Sequence, residues 1–317
     1  MSRLPRLIDL DPDDTGWGFF LCVAQERRTG RAGSEFLALT LQDATGQIAA
    51  RIFDDVDRWA ARVQAGTFVR VEGTASLHAG QLQLVLSSIR PVHPEQDRLD
   101  GFREDECILS ATRPIDEMWA ELNARVGAVE DARLRVLLAR LLADHEAQLR
   151  EWPAAQTVHH SYRGGLLEHI TKMAEVGIQV ARAYQANADL VLAGVVLHDI
   201  GKLQELAYEA GTAEYTRDGN LVGHIALGVL LLRETAAGIN GFPDDLRAAL
   251  EHLVLSHHGS RDRGSPVEPK TVEAFILASV DELDARLNQV RRAIREDAGP
   301  GEFTAWHRRL GRVLYKG

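Results

Sequence analysis

From residue 16 to residue 92 the chain is a series of short apolar or alternating runs separated by turn residues. The runs cover 18–24, 36–41, 47–53, 68–73 and 82–86; Thr29-Gly30-Arg31-Ala32-Gly33 divides the first two and Asp43-Ala44-Thr45-Gly46 the second and third. Side chains with a period of two line opposite faces of a strand, so these runs predict strands with a buried face. A helical insert over 56–63 falls between the third and fourth runs. Five short strands with a helix after the third describe an OB-fold barrel, the plainer alternative being another small barrel or sandwich.

Beyond residue 95 the period lengthens. Pro91, Pro94 and Pro114 bracket a charged stretch that reads as a linker over 96–114. Met118, Leu122, Val126 and Val129 then form an apolar stripe at helical spacing, and Leu134, Leu137, Leu138, Leu141 and Leu142 form another. Pro153 stops the pattern. Further helices are predicted over 165–185, 189–199, 222–237, 244–258 and 270–292, with Asp189 as the cap of the second. The expectation is a multidomain chain: an N-terminal all-β OB-fold barrel over 1–95 that binds single-stranded nucleic acid, the linker, and an all-α helical domain over 115–317.

Composition narrows the class. The chain has no run of eighteen apolar residues, so no membrane span is expected, and its N-terminus lacks the apolar core of a signal peptide. Two distant cysteines, Cys22 and Cys107, fit no metal or redox spacing and suit a reducing cytoplasm. A net charge of −10 argues against a basic nucleic-acid coat, yet residues 1–94 hold ten arginines against eleven acids. The acidity therefore lies downstream, where carboxylates that ligate cations still count in the formal sum.

The chemistry centres on His198-Asp199-Ile200-Gly201-Lys202. Residues 190–197 before it are almost wholly apolar, so the predicted helix is buried and ends in two polar side chains. Burying such groups is costly unless something satisfies them. A capped helix with a satisfied core histidine would explain one His-Asp pair. It does not explain His169, His224, His257, His258 and Asp281, each at a predicted helix end or on an apolar face. Imidazoles and carboxylates are ligands for borderline and hard divalent metals, and these seven suffice for two ions with Asp199 free to bridge. A two-metal site points to phosphate-ester hydrolysis, and Lys202 lies one turn on, within reach of a phosphate.

Residues 165–285 resemble the HD superfamily of metal-dependent phosphohydrolases. Longer strings resemble the YhaM-type 3′→5′ exoribonucleases of bacteria: His-His-Ser-Tyr-Arg-Gly-Gly-Leu-Leu-Glu-His at 159–169, Tyr215-Thr216 before Gly223-His224-Ile225, Leu255-Ser256-His257-His258-Gly259, and Asp281-Glu282-Leu283-Asp284-Ala285. That family joins an OB-fold to an HD domain, so the likeness covers nearly the whole chain. One departure is Ile52-Phe53-Asp54, where a tryptophan is expected before the aspartate; Phe53 keeps an aromatic there. The resemblance implies that His169, His198, Asp199 and Asp281 hold one ion, and that Asp199 bridges to a second held by His224, His257 and His258. It implies manganese, although histidine-rich ligation also suits iron, cobalt or nickel. Asp199 and Lys202 would be catalytic, the substrate single-stranded RNA and also DNA, the products nucleoside monophosphates, and the assembly a homo-oligomer.

Substrate contacts are expected from His159, His160, Tyr162 and Arg163, ahead of the flexible Gly164-Gly165, the alternative being a packed turn in which His160 caps a helix. Arg27, Arg28 and Arg31, in the loop between the first two strands, are candidates to follow phosphates. Phe19, Phe20, Phe36, Phe53 and Phe68 divide between barrel core and stacking platform. His252 reads as structural, and His78, His93, His145 and His307 as surface residues. Two other functions compete: hydrolysis of a free nucleotide or cyclic dinucleotide, and non-catalytic single-strand binding by a metal-stabilised protein.

Overall fold

A computed structural model describes all residues but 1, 31, 32, 79, 157–159, 210 and 298, and all of their side chains but that of Glu296. Strands β1 (Thr15–Thr29), β2 (Glu35–Gln42) and β3 (Gln47–Ile52), helix α1 (Val56–Ala60), and strands β4 (Thr67–His78) and β5 (Gln81–Pro91) follow the predicted order. They close into a barrel in the order β1-β2-β3-β5-β4, with β3 and β5 parallel and every other pair antiparallel. Strand β1 is longer than its apolar run because it serves two neighbours: Thr15 to Cys22 pair with β4, and Leu21 to Thr29 pair with β2 after a register shift at Cys22/Ala24. Only the middle, where both faces are covered, is continuously apolar. Phe20, Leu37, Leu39, Leu41, Ile52, Val69, Val71, Leu84 and Ile89 fill the barrel, and Trp59 of α1 joins them.

The stretch read as a linker is built onto the barrel. Phe102 and Cys107 are buried with Phe19 and Leu21, and the Phe102 ring meets Phe19 edge-on at 5.2 Å and Phe68 at 5.6 Å. Helix α2 (Pro94–Asp97) ends in a carboxylate that is 1% exposed and accepts from both Nη atoms of Arg90, at 2.8 and 2.6 Å, and from the His93 amide. The few apolar residues among the charges, Leu99, Phe102 and the run Cys107-Ile108-Leu109, form no period, which is why the sequence pattern reads as loop.

The helical domain begins with α3 (Ile115–Gly127), α4 (Ala132–Asp144) and α5 (Glu146–Glu151), followed by α6 (Gly165–Ala183) and α7 (Ala188–Leu197). Helix α7 is the centre of the core: Val191 through Leu197 are all buried. Its cap is Asn187, whose side chain accepts from the Leu190 amide at 3.0 Å. Asp189, the predicted cap, instead accepts from the amides of Glu130 and Asp131 and so ties α7 to the start of α4. The chain continues through α8 (Lys202–Glu205), strands β6 (Leu206–Glu209) and β7 (Thr212–Tyr215), and helices α9 (Arg217–Leu221), α10 (His224–Ala237), α11 (Asp244–Ser256) and α12 (Val272–Glu296). The β6–β7 hairpin departs from the all-α expectation; four-residue strands are too short to print a period. Among the described residues no helix is long and apolar enough to cross a membrane.

Candidate metal centre

Five helix ends and faces converge on Asp199. Buried helix α7 delivers His198 and Asp199 at its C-terminal end. His198 Nδ1 lies 2.8 Å from the Val195 carbonyl and His257 Nδ1, just past α11, 2.7 Å from the Val254 carbonyl. A carbonyl only accepts, so each Nδ1 carries the proton and each Nε2 is left as a lone-pair donor. Two more candidate ligands are oriented by carboxylates: His169 Nδ1 is 2.7 Å from Asp284 Oδ2, and His224 Nδ1 is 3.0 Å from Glu205 Oε1, which also accepts the His224 amide. Outer carboxylates of this kind set the tautomer and ring orientation of ligating histidines.

The Nε2 atoms then meet in two groups. His169 Nε2 lies 3.3 Å from both His198 Nε2 and Asp281 Oδ1. Asp199 faces this group with Oδ2, 3.3 Å from His198 Nε2. Its other oxygen, Oδ1, faces the second group, 3.6 Å from His224 Nε2 and 3.8 Å from His257 Nε2. Within each triplet, His169-His198-Asp281 and His224-His257-His258, the ligand atoms lie within 4.8 Å of one another. Lys202 Nζ donates to Asp199 Oδ2 at 2.6 Å. Gly201 lets the turn after Asp199 lie against the backbone of α10, since a Cβ there would stand 2.0 Å from the His224 carbonyl oxygen.

The donor set fits divalent cations. Among the described residues His224 Nε2, His257 Nε2 and His258 Nδ1 are buried with no hydrogen-bond partner. Three lone orphans in one pocket would be costly, and a cation satisfies all of them. The electrostatics agree. Burial would push Asp199 up, but Lys202 and His198 outweigh it and hold the carboxyl well below its usual range. Asp281 is likewise held down against burial, by the His169 hydrogen bond and His198. Burial, with His198 beside it, keeps His257 neutral by lowering it far below its ordinary value, and His258 is lowered mainly by burial. His169 runs the other way: Asp281 and Asp284 overcome burial and lift it to about 9.

All seven sequence-derived ligand candidates and Lys202 are therefore together. The expected substrate contacts are not. His160 is 4% exposed, with φ of 48° and its ring held between Glu168 Oε2 at 3.1 Å and Asp284 Oδ2 at 3.0 Å. Tyr162 Oη donates to Glu168 as well. His160 thus braces Asp284, and through it His169, and Tyr162 holds the His160 ring from its other side at 2.9 Å; nor does His160 cap α6, whose cap position is Gly164. Arg163 pairs with Glu151, while its backbone bonds to Leu109 and Ala111 of the former linker. Arg27 pairs with Asp57 and Glu35, and Arg28 with Glu26. Arg31 and His159 lie outside the described residues. Sequence reasoning missed Asp284, Glu205 and Glu168. The available signal was spacing: Asp284 is three residues past Asp281 on one helix, and Glu205 three past Lys202.

Comparison with known proteins agrees with this architecture. A family model for the HD domain matches residues 166–286, and one for an OB-fold nucleic acid binding domain matches 23–92. The 3′-5′ exoribonuclease YhaM of Bacillus subtilis is 35% identical over 288 residues, which covers 90% of this chain and 89% of the relative. That of Listeria innocua is 33% identical over 300 residues, 94% of each chain. Because the alignment spans the barrel and the clustered histidines alike, the chain belongs to the YhaM family of 3′-5′ exoribonucleases.

Proposed function

We propose that this protein is a metal-dependent 3′→5′ exonuclease that shortens single-stranded RNA, and DNA as well, to nucleoside monophosphates. The observation that carries the reading is the division of Asp199: one oxygen toward His169 and His198, the other toward His224 and His257. We assign one ion to His169, His198, Asp199 and Asp281, and a second to Asp199, His224, His257 and His258, with manganese as the metal. Two such ions supply Lewis acidity toward a phosphate oxygen and a nucleophile at neutral pH. Lys202 is held on Asp199 and presents a further positive charge where the phosphodiester gains negative charge during in-line displacement. Burial of His169, His198 and His257 excludes bulk water and strengthens these interactions.

The barrel supports the choice of a polymeric substrate. Phe53 is 48% exposed, its ring 5.6 Å from that of Phe36, and the Arg51 guanidinium sits 5.5 Å from the Phe36 ring centre. Arg28, Phe36 and Arg51 line a groove beside Gln25, Ala38 and Ala49. The exposed Phe53 ring, continued by the half-buried Phe36 with Arg51 over it, offers what a single strand needs for stacking and phosphate contact. We place the activity in the cytoplasm, where Cys22 and Cys107, pushed up by burial to about 11 and about 12, remain inert thiols.

The test is degradation of 3′- or 5′-labelled single-stranded RNA with manganese, beside the Asp199→Asn protein. A ladder shortening from the 3′ end and absent in the variant is the expected result. Intact RNA beside hydrolysed free or cyclic nucleotides would replace this reading with the small-nucleotide one.

A further inference from the structure

The last fifteen residues, 303–317, carry four cationic side chains and no acid, in a chain whose formal net charge is −10. They fold back on themselves. Phe303 bridges to Tyr315 and His307 to Arg312, with the Thr304 amide on the Leu314 carbonyl at 2.8 Å and the His307 amide on the Arg312 carbonyl at 2.9 Å. Asp297, just past α12, anchors both arms by accepting from the Ala305 amide at 2.7 Å and from Lys316 Nζ at 3.0 Å. This ordered hairpin nevertheless leaves its rings outside: Trp306 is 67% exposed, Tyr315 59% and Phe303 54%. Arg308, Arg309 and Arg312 are exposed too, and among the described residues none of them pairs with a carboxylate.

Ordered aromatic side chains turned to solvent mark a surface that meets something. The charge says what. Near the end of β1, rather than in the loop expected from the sequence, Arg27 and Arg28 are already neutralised by Asp57, Glu35 and Glu26. The hairpin guanidinium groups have no carboxylate partner among the described residues and share one short hairpin with three exposed rings. Phosphates take the one and bases the other, the pairing by which proteins hold single strands without reading sequence. A second copy of this acidic chain would also be drawn to positive charge, but it gives no reason for rings in place of aliphatic side chains.

We infer that the hairpin formed by residues 303–315 is a second contact surface for single-stranded nucleic acid, in which Trp306, Phe303 and Tyr315 stack on bases and Arg308, Arg309 and Arg312 engage phosphates. This rests on the proposed nuclease reading and extends it: the strand is held by the hairpin as well as by the barrel.

The test uses the full chain with Asp199→Asn, so that binding is read without cleavage, and follows a labelled single-stranded oligoribonucleotide by anisotropy across a salt series. Arg308→Ala with Arg309→Ala should weaken binding and reduce the slope of log affinity against log salt by about 1.4, roughly 0.7 per lost phosphate contact. Trp306→Ala should weaken binding about tenfold with the slope unchanged. Hydrolysis of bis(p-nitrophenyl) phosphate by the same hairpin variants, with Asp199 intact, should match that of the unsubstituted chain, which shows the metal centre whole. Wild-type binding with unchanged affinity and slope in the variants overturns the inference while the nuclease reading stands. So does an unchanged affinity accompanied by loss of self-association in sedimentation, which makes the hairpin an interface between copies. Absence of RNA binding by the Asp199→Asn chain itself overturns both.

Discussion

Asp284 touches no substrate in this reading, yet its carboxylate holds the histidine that faces one of the two ions. Its Oδ2 lies 2.7 Å from His169 Nδ1 and 3.0 Å from His160 Nε2, and these hydrogen bonds hold its pKa well below the usual carboxylate value against the pull of burial. Asp284→Asn preserves size and one acceptor oxygen but removes the charge. A hydrogen bond to a charged group contributes about 1.5–3 kcal/mol, and at about 1.4 kcal/mol per tenfold this is roughly 10–100-fold in affinity. Loss of an outer partner of a metal ligand falls in the same range. The assay is calorimetric titration of chelator-stripped protein with manganese, which resolves the two ions without relying on activity. One ion should weaken by that factor and the other stay. Glu205→Gln should act on the other ion, because Glu205 orients His224. If both ions bind Asp284→Asn as tightly as they bind the unsubstituted protein, the bracing argument is wrong.

Other outcomes follow from the same geometry. Lys202→Met should lower RNA hydrolysis about 100-fold, the effect of removing one stabilising charge from a reacting phosphate, with manganese stoichiometry unchanged. Gly201→Ala drives a Cβ to 2.0 Å from the His224 carbonyl oxygen, so its melting temperature and manganese content should fall together; a normal melt would sink the close-approach argument. Phe53→Ala should weaken single-strand binding about tenfold with hydrolysis of a small diester unaffected, and equal binding would remove Phe53 from the platform. Asp97→Asn should cost about 1 kcal/mol, given that its partner Arg90 is partly exposed. The Arg90 hydrogen bond, opposed by burial, holds the Asp97 pKa below 3.8. The folded value is depressed, so that stabilisation is complete above the unfolded value and drains as pH falls through the folded one. Denaturant melts of the two proteins should therefore differ at neutral pH and converge in acid.

Much of this protein is legible in one dimension. A period of two followed by a period near 3.6 separates barrel from helices, because each element must turn its apolar side chains toward one core. The candidate metal ligands are legible for a related reason: a polar pair ending a run as apolar as residues 190–197 needs a partner, and several such pairs need a common one. Other features were decided only in three dimensions. Phe102 and Cys107 gave no period, and only the barrel wall they pack on makes residues 96–114 structure rather than linker. His160 carries the residue type of a substrate contact; that it faces inward follows from Asp284, more than a hundred positions away, arriving on α12. Periodicity reports what a segment must bury. Which distant carboxylate meets which imidazole depends on how the helices cross, and only the assembled fold determines that.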